Sequence, residues 1–81
     1  MIDQWISMSV AQRGSICERV YRYIKRSGGA SATCIMHGCA MTLDHVGGAL
    51  ADMERRGVIR RDENSAGVEI WTVTMPQARA S

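Results

Sequence analysis

The stretch "IMHGCAMTLDHVGGALADMERRG", residues 35–57, decides the fold that this sequence predicts. Thr42 belongs to the residue types that cap helix N-termini, and Gly57 stands where a glycine commonly ends a helix. We therefore expect a helix over Leu43–Arg56. At helical spacing, its inner face carries Val46, Ala49, Leu50 and Met53.

Two further helices precede this one in the prediction. The nearer covers Ala32–Cys39, and residues 40–41 make the turn that follows it. The first helix begins after Ser9, which forms a capping-box pattern with Gln12, and runs from Val10 to about Arg26. Its inner face carries Ile16, Cys17, Val20, Tyr23 and Ile24. Its outer face carries Glu18, Arg19, Arg22, Lys25 and Arg26. Such a basic face is usually solvated, and contact with nucleic acid is the alternative.

After Gly57 the apolar period changes from helical to alternating. "VIRR" at 58–61 and "VEIWTVT" at 68–74 are rich in β-branched and aromatic residues, which is typical of strands. The polar segment "DENSAG" separates them, so we expect a hairpin with Trp71 and Val73 facing the core. The predicted fold class is α+β, with three helices followed by a two-stranded β-hairpin.

The domain organisation follows from length and composition. The chain has 81 residues and a formal net charge of +2, which predicts one small, marginally stable domain. We divide it into a lead segment at 1–8, a folded domain at 9–75 and a flexible tail at 76–81. Trp5 and Ile6 are too apolar for a free tail, so the lead segment should pack on something. We expect a homodimer that uses Trp5, Ile6 and the first helix.

Composition also excludes several classes of protein. No apolar run approaches the roughly 18 residues of a membrane span. Three cysteines without a framework spacing indicate reduced thiols, and we expect a cytoplasmic protein. Zinc ligation by the residues of ligand type is not favoured, because the paired CxxC spacing is missing. Redox sensing is not favoured either, because nothing in the sequence indicates a lowered thiol pKa. The residues of ligand type are Cys34, His37, Cys39 and His45. No motif brings a nucleophile and a base together, so we predict no enzyme, catalytic residue, metal or cofactor.

The order of elements is that of a winged helix-turn-helix domain, in which the hairpin is the wing. In "IMHGCAMTLDHV" the apolar positions of that pattern hold Ile35, Cys39, Met41 and Val46. "LADMERRGVIRR" followed by "VEIWTVT" looks like the usual run into a wing. Over residues 9–74 the chain resembles the DNA-binding domains of MarR-like and ArsR-like repressors. In size it is closer to the small winged-helix regulators of fimbrial operons. Ala40 departs from the pattern, since glycine is usual at this turn, and so does Met36, where a small residue is usual.

The resemblance implies that the third helix lies in the major groove of double-stranded DNA. The residues expected to meet the duplex lie on the outer side of that helix, near its N-terminus and at the base of the wing. They are Thr42, Asp44, His45, Gly48, Arg55, Arg60 and Arg61. On the outer side of the helix, Arg55 is the only strong phosphate or guanine partner. Asp44 repels phosphate, and the wing tip "ENSAG" has no basic residue.

Two adjacent glycines inside the third helix need a reason, because each costs roughly 0.5–1 kcal/mol relative to alanine. We expect Gly47 to serve internal packing. Gly48 should point outward and let another backbone approach closely, whether that of DNA or of a partner helix.

Two functions remain open on these residues. The first is a small DNA-binding transcriptional regulator with its third helix in the major groove. The second is a protein-interaction module, an inhibitor or adaptor that does not bind DNA, which Asp44 and the acidic wing tip favour. A continuous positive surface joining the third helix and the wing would favour DNA, and an acidic or neutral one would count against it.

Overall fold

The computed structural model describes residues 2–74, with side chains from Trp5 onward. Its elements in chain order are α1 (Ile2–Ser7), α2 (Val10–Ser27), α3 (Ala32–Cys39), α4 (Leu43–Arg56), β1 (Ile59–Glu63) and β2 (Glu69–Val73). The three predicted helices are therefore α2, α3 and α4, and the α+β class with a terminal antiparallel hairpin is confirmed. The predicted domain end at residue 75 and the tail at 76–81 lie outside the described residues.

The number of helices differs from the prediction, because the lead segment forms the short helix α1. Trp5 is only 6 % exposed and belongs to the same core cluster as the buried side chains of α2, α3 and α4. Burial of a large apolar ring against α4 gives this segment a reason to be ordered that its six residues alone do not provide. The lead segment thus packs on the rest of the fold through Trp5.

The helix ends follow the predicted signals. Ser9 and Gln12 form the reciprocal capping box at the start of α2, and Thr42 accepts a hydrogen bond from the backbone N–H of His45 at the start of α4. Gly57 ends α4 in the left-handed conformation. Ser31 caps α3 in the same way as Thr42 caps α4, since its hydroxyl accepts a hydrogen bond from the backbone N–H of Cys34.

Ala40, in the turn between α3 and α4, adopts a backbone conformation that favours the glycine usually found at this position. Ala40 has φ 53° and ψ 50°, and it is the only non-glycine residue with positive φ among residues 2–74. A Cβ in this region costs roughly 1 kcal/mol, which is why glycine is common at such turns.

We expect Ala40→Gly to raise the free energy of unfolding by about 0.5 kcal/mol, because it removes about 1 kcal/mol of backbone strain and costs about 0.5 kcal/mol through the greater chain entropy of glycine in the unfolded state. Chemical denaturation measures the change. Ala66→Gly, on the exposed hairpin loop, is the control, and a destabilised Ala40→Gly variant would contradict the strain argument.

The core lies between α2, α3, α4 and the hairpin. The largest fully buried side chains are Ile24, Ile35, Ile59, Val20 and Val46. In the hairpin, Ile59 pairs with Val73 and Arg61 with Trp71. Trp71 is buried and Val73 half-buried, so the predicted core face of this strand is confirmed.

A backbone bridge ties the hairpin to the segment between α2 and α3. The N–H of Ala30 donates to the carbonyl of Trp71 at 3.1 Å, and the N–H of Trp71 donates to the carbonyl of Ala30 at 2.8 Å. The buried indole therefore has its own backbone position fixed from both sides. Among the described residues, no helix is long and apolar enough to cross a membrane.

Candidate interaction surface

The outer side of α4 is partly covered by α1, and the contact point is Gly48. A Cβ built on Gly48 would lie less than 3.0 Å from three atoms of the Trp5 indole, so only glycine permits this contact. Gly48 is buried. The prediction that Gly48 faces outward, towards a DNA or partner backbone, is therefore wrong. The close neighbour is the indole of the chain's own first helix, which helical periodicity of α4 alone does not reveal.

Gly47 has the opposite environment. It is exposed, and a Cβ there would meet nothing within 4 Å outside its own helix backbone. The prediction of internal packing at Gly47 is also wrong, since the two glycines have exchanged roles. With Leu43 and Ala51 it forms a solvent-facing stripe along α4, at positions separated by four residues.

Arg61, predicted as a phosphate contact at the wing, is held by its own chain. Its guanidinium donates to Glu54 at 3.1 Å and to Glu69 at 3.4 Å, and it lies 5.3 Å from the centre of the Trp71 ring. The hydrogen bond to Glu54 and then the charges of Glu54 and Glu69 raise the pKa of Arg61. Two carboxylates of the same chain therefore already pair with the positive charge of Arg61 in the absence of a phosphate.

The other predicted DNA contacts lie on α4, at its N-cap and on β1. Arg55 on α4 is exposed but forms an ion pair with Asp52 one turn earlier. Arg60 lies on β1, exposed, with its Nε 3.5 Å from the hydroxyl of Thr72. Thr42 uses its hydroxyl as the N-cap of α4. Asp44 and His45 follow it in the first turn, each half-buried.

The formal charge of α4 and the hairpin differs in sign from that of α2. Residues 42–74, which comprise α4 and the hairpin, contain four arginines and six carboxylates, so their formal charge is −2. The carboxylates are Asp44, Asp52, Glu54, Asp62, Glu63 and Glu69. In contrast, α2 contains five basic residues and one acidic residue, for a formal charge of +4. The excess of positive formal charge therefore lies on α2, whereas α4 and the hairpin together carry an excess of negative formal charge.

A groove of about 750 Å³ opens where α1, the start of α2 and the outer side of α4 meet. Trp5, Gly14, Cys17, Gly48 and Ala51 provide its mostly apolar wall. Ile6 and Val10 border it and are 65 % and 77 % exposed. Arg13, Asp52, Arg55 and Arg56 supply its charged groups.

The sequence reasoning missed Val10 and Arg13 as members of this surface. Arg13 holds the end of α1 in place, because its guanidinium donates to the carbonyls of Ile6 and Met8, both at 3.1 Å. Val10 is the first residue of α2 and turns an aliphatic side chain to solvent. In the sequence, the available signal was an aliphatic residue at the start of the helix, shortly after the apolar lead segment.

The cysteines are separated in the fold. Cys17 and Cys39 are buried, whereas Cys34 is exposed on α3. Burial, reinforced by the charge of Asp52, raises the pKa of the Cys17 thiol and disfavours its thiolate. Cys39 lies beside Arg19, whose guanidinium donates to the Cys39 carbonyl at 2.8 Å. Within residues 5–74, no three side chains of histidine, cysteine, aspartate or glutamate lie close enough together to hold a metal ion.

Comparison with known proteins adds no relative to this picture. No protein-family model matches the sequence, and no curated protein matches it either. The proposals below are therefore argued from the geometry and charge of the described residues.

Proposed function

We propose that this chain is a winged-helix-like protein-interaction module, and that it works through the groove between α1, α2 and α4. The order of four helices and a terminal antiparallel hairpin, with α3 and α4 joined by a short turn, supports the winged-helix assignment. A shared fold does not fix the ligand, so the function is argued from the surface.

The observation that carries this proposal is the Trp5–Gly48 contact on the outer side of α4. In a DNA-reading winged helix this side should be open to the duplex. Here the indole fills part of it and creates an apolar groove with exposed aliphatic borders. The formal charge of −2 over residues 42–74 points the same way, since phosphate repels such a surface.

The partner that fits this groove is a second copy of the chain. Ile6 and Val10 are exposed large hydrophobic residues beside an apolar hollow, so each copy offers both the side chains and the site that receives them. A two-fold pairing of identical surfaces satisfies both copies at once. The proposed dimer differs from the predicted one in the role of Trp5. Because Trp5 is already buried within its own chain, it forms the floor of the groove that receives the other copy.

We expect the wild-type chain to self-associate as its concentration rises from about 5 to about 200 µM, and Ile6→Asp or Val10→Asp to keep it monomeric. Both side chains are exposed, so neither change removes core packing. Sedimentation equilibrium or light scattering after gel filtration measures the mass.

Val68→Asp is the matched control, since Val68 is an exposed valine on the hairpin, outside the groove. It should associate like the wild type. A wild-type chain that stays monomeric at all concentrations would refute the second copy as the partner.

One observation favours the second candidate, DNA binding through α4. The stripe of Leu43, Gly47 and Ala51 is uncovered, and the small residues Gly47 and Ala51 leave room for close approach by a duplex next to the N-cap residue Thr42. Chemical-shift mapping with a duplex of mixed sequence tests this candidate. Shifts confined to α4 and the hairpin would favour it over the protein-interaction module.

A further inference from the structure

The outer face of α2 carries the strongest concentration of positive charge in the described chain. Arg19, Arg22 and Arg26 lie at intervals of three and four residues and are all exposed. They are opposite the buried residues Cys17, Val20 and Ile24, which share the inner face. Lys25 adds a fourth positive charge beside them. The three arginines span about 10 Å along the helix axis.

Two of these arginines are already positioned by contacts within the chain. Arg19 uses part of its guanidinium to donate to the Cys39 carbonyl at 2.8 Å. The guanidinium of Arg26 lies 6.0 Å from the centre of the Tyr23 ring, and Tyr23 itself packs against Gly38 of α3. A guanidinium has five N–H donors, so each of them retains donors for an anion. Ordering before binding reduces the entropy lost when an anion is bound.

Opposing charge on α2 is small. Glu18 is the only acidic residue of α2, and it pairs with Arg22 at 2.6 Å. Both side chains of this pair are more than half exposed, so the pair is weak and open to competition from a phosphate.

The chemistry of this face favours nucleic acid over an acidic protein. Protein interfaces need apolar anchors at their centre. Among the described side chains, the exposed large hydrophobic residues are Ile6, Val10, Leu43, Val58 and Val68, none of which lies between residues 15 and 31. Binding to a phosphate backbone needs only correctly spaced cations, and arginine suits phosphate because it can donate two parallel hydrogen bonds.

We infer that the outer face of α2, built from Arg19, Arg22, Lys25 and Arg26, binds the phosphate backbone of double-stranded DNA without reading its sequence. This surface is separate from the groove, which α2 borders through Val10, Gly14 and Cys17. The inference therefore goes beyond the proposed protein contact and adds a second binding surface to the domain.

The test is a titration with a duplex of about 20 base pairs and random sequence, at salt concentrations from about 50 to about 200 mM. With three phosphates neutralised, the slope of log K against log salt is about −3, which weakens binding about 50-fold over that range. The double variant Arg22→Gln/Arg26→Gln should bind at least about tenfold more weakly at low salt and reduce the slope by about two.

The matched control removes two positive charges from elements other than α2. Arg55→Gln/Arg60→Gln should retain the wild-type slope and an affinity within about threefold, because those residues lie on α4 and β1. Circular dichroism verifies that both double variants are folded.

Four results would overturn the inference. The first is a larger loss of duplex affinity in the Arg55/Arg60 variant than in the Arg22/Arg26 variant, and the second is a duplex affinity that does not change with salt. The third is equal binding of a poly-glutamate of matched charge, and the fourth is no duplex binding by the wild type at about 100 µM in low salt. The first of these would also favour α4 as the DNA-binding helix. None of them tests self-association through Ile6 and Val10, so the two proposals succeed or fail separately.

Discussion

We expect Gly48→Ala to lower the free energy of unfolding by about 2 kcal/mol, which corresponds to a fall in Tm of about 10 °C for a domain of this size. The added methyl group would lie less than 3.0 Å from the Trp5 ring, close to the point where the ring joins its Cβ, so the indole cannot swing a free end aside. Helix α1 must therefore shift or leave α4. Thermal denaturation followed by circular dichroism measures the change.

Gly47→Ala is the matched control, one residue away in the same helix. Because a Cβ there meets nothing within 4 Å, alanine should raise the free energy of unfolding by about 0.5–1 kcal/mol through helix propensity alone. Two neighbouring, chemically identical substitutions should thus have opposite signs.

A double-mutant cycle isolates the cause. Trp5→Ala removes a nearly buried ring and should cost about 3 kcal/mol by itself. In that background Gly48→Ala should become stabilising, as Gly47→Ala is in the wild type, because the clash has been removed. If Gly48→Ala costs the same with and without Trp5, the contact between α1 and α4 is not the reason for this glycine.

Trp71→Ala should lower the free energy of unfolding by about 4 kcal/mol and leave the domain close to unfolded at room temperature. The reason is that the free energy of unfolding of a small domain is only about 5 kcal/mol. The Trp71 ring is 7 % exposed, and its backbone bridges to Ala30. Its loss therefore empties the core under the hairpin and weakens the link between β2 and the α2–α3 segment. Guanidinium chloride denaturation measures the stability.

Val68→Ala serves as the control for Trp71→Ala, because Val68 is on the same hairpin but exposed. Its cost should be below about 0.5 kcal/mol. A Trp71→Ala variant that loses less than about 1 kcal/mol would show that the hairpin does not depend on this side chain for its position.

The boundaries of α2, α3 and α4 were accessible to sequence reasoning because local physics decides them. Caps at Ser9, Ser31 and Thr42 and the glycine after Arg56 act within one helical turn, and the alternation after Gly57 predicts strands directly. The inner face of α4 was predictable for the same reason, since 3.6-residue periodicity places Val46, Leu50 and Met53 together.

The candidate site was less accessible, because it depends on which long-range partner each residue meets. Arg61 looked like a free cation in sequence, but the fold brings Glu54 from α4 and Glu69 from β2 to it. Arg55 meets Asp52 within its own helix, a pair that the sequence spacing of three residues could have suggested.

The sequence by itself determined the helices α2, α3 and α4, the hairpin and the inward direction of their apolar faces, since caps, periodicity and turn residues act over a few positions. Only the tertiary structure decided that residues 2–7 form a helix on α4 and that Gly48, not Gly47, is the close-contact glycine. A contact between residues 43 positions apart leaves no periodic signal in the chain, because it depends on how two faces meet after the helices have packed.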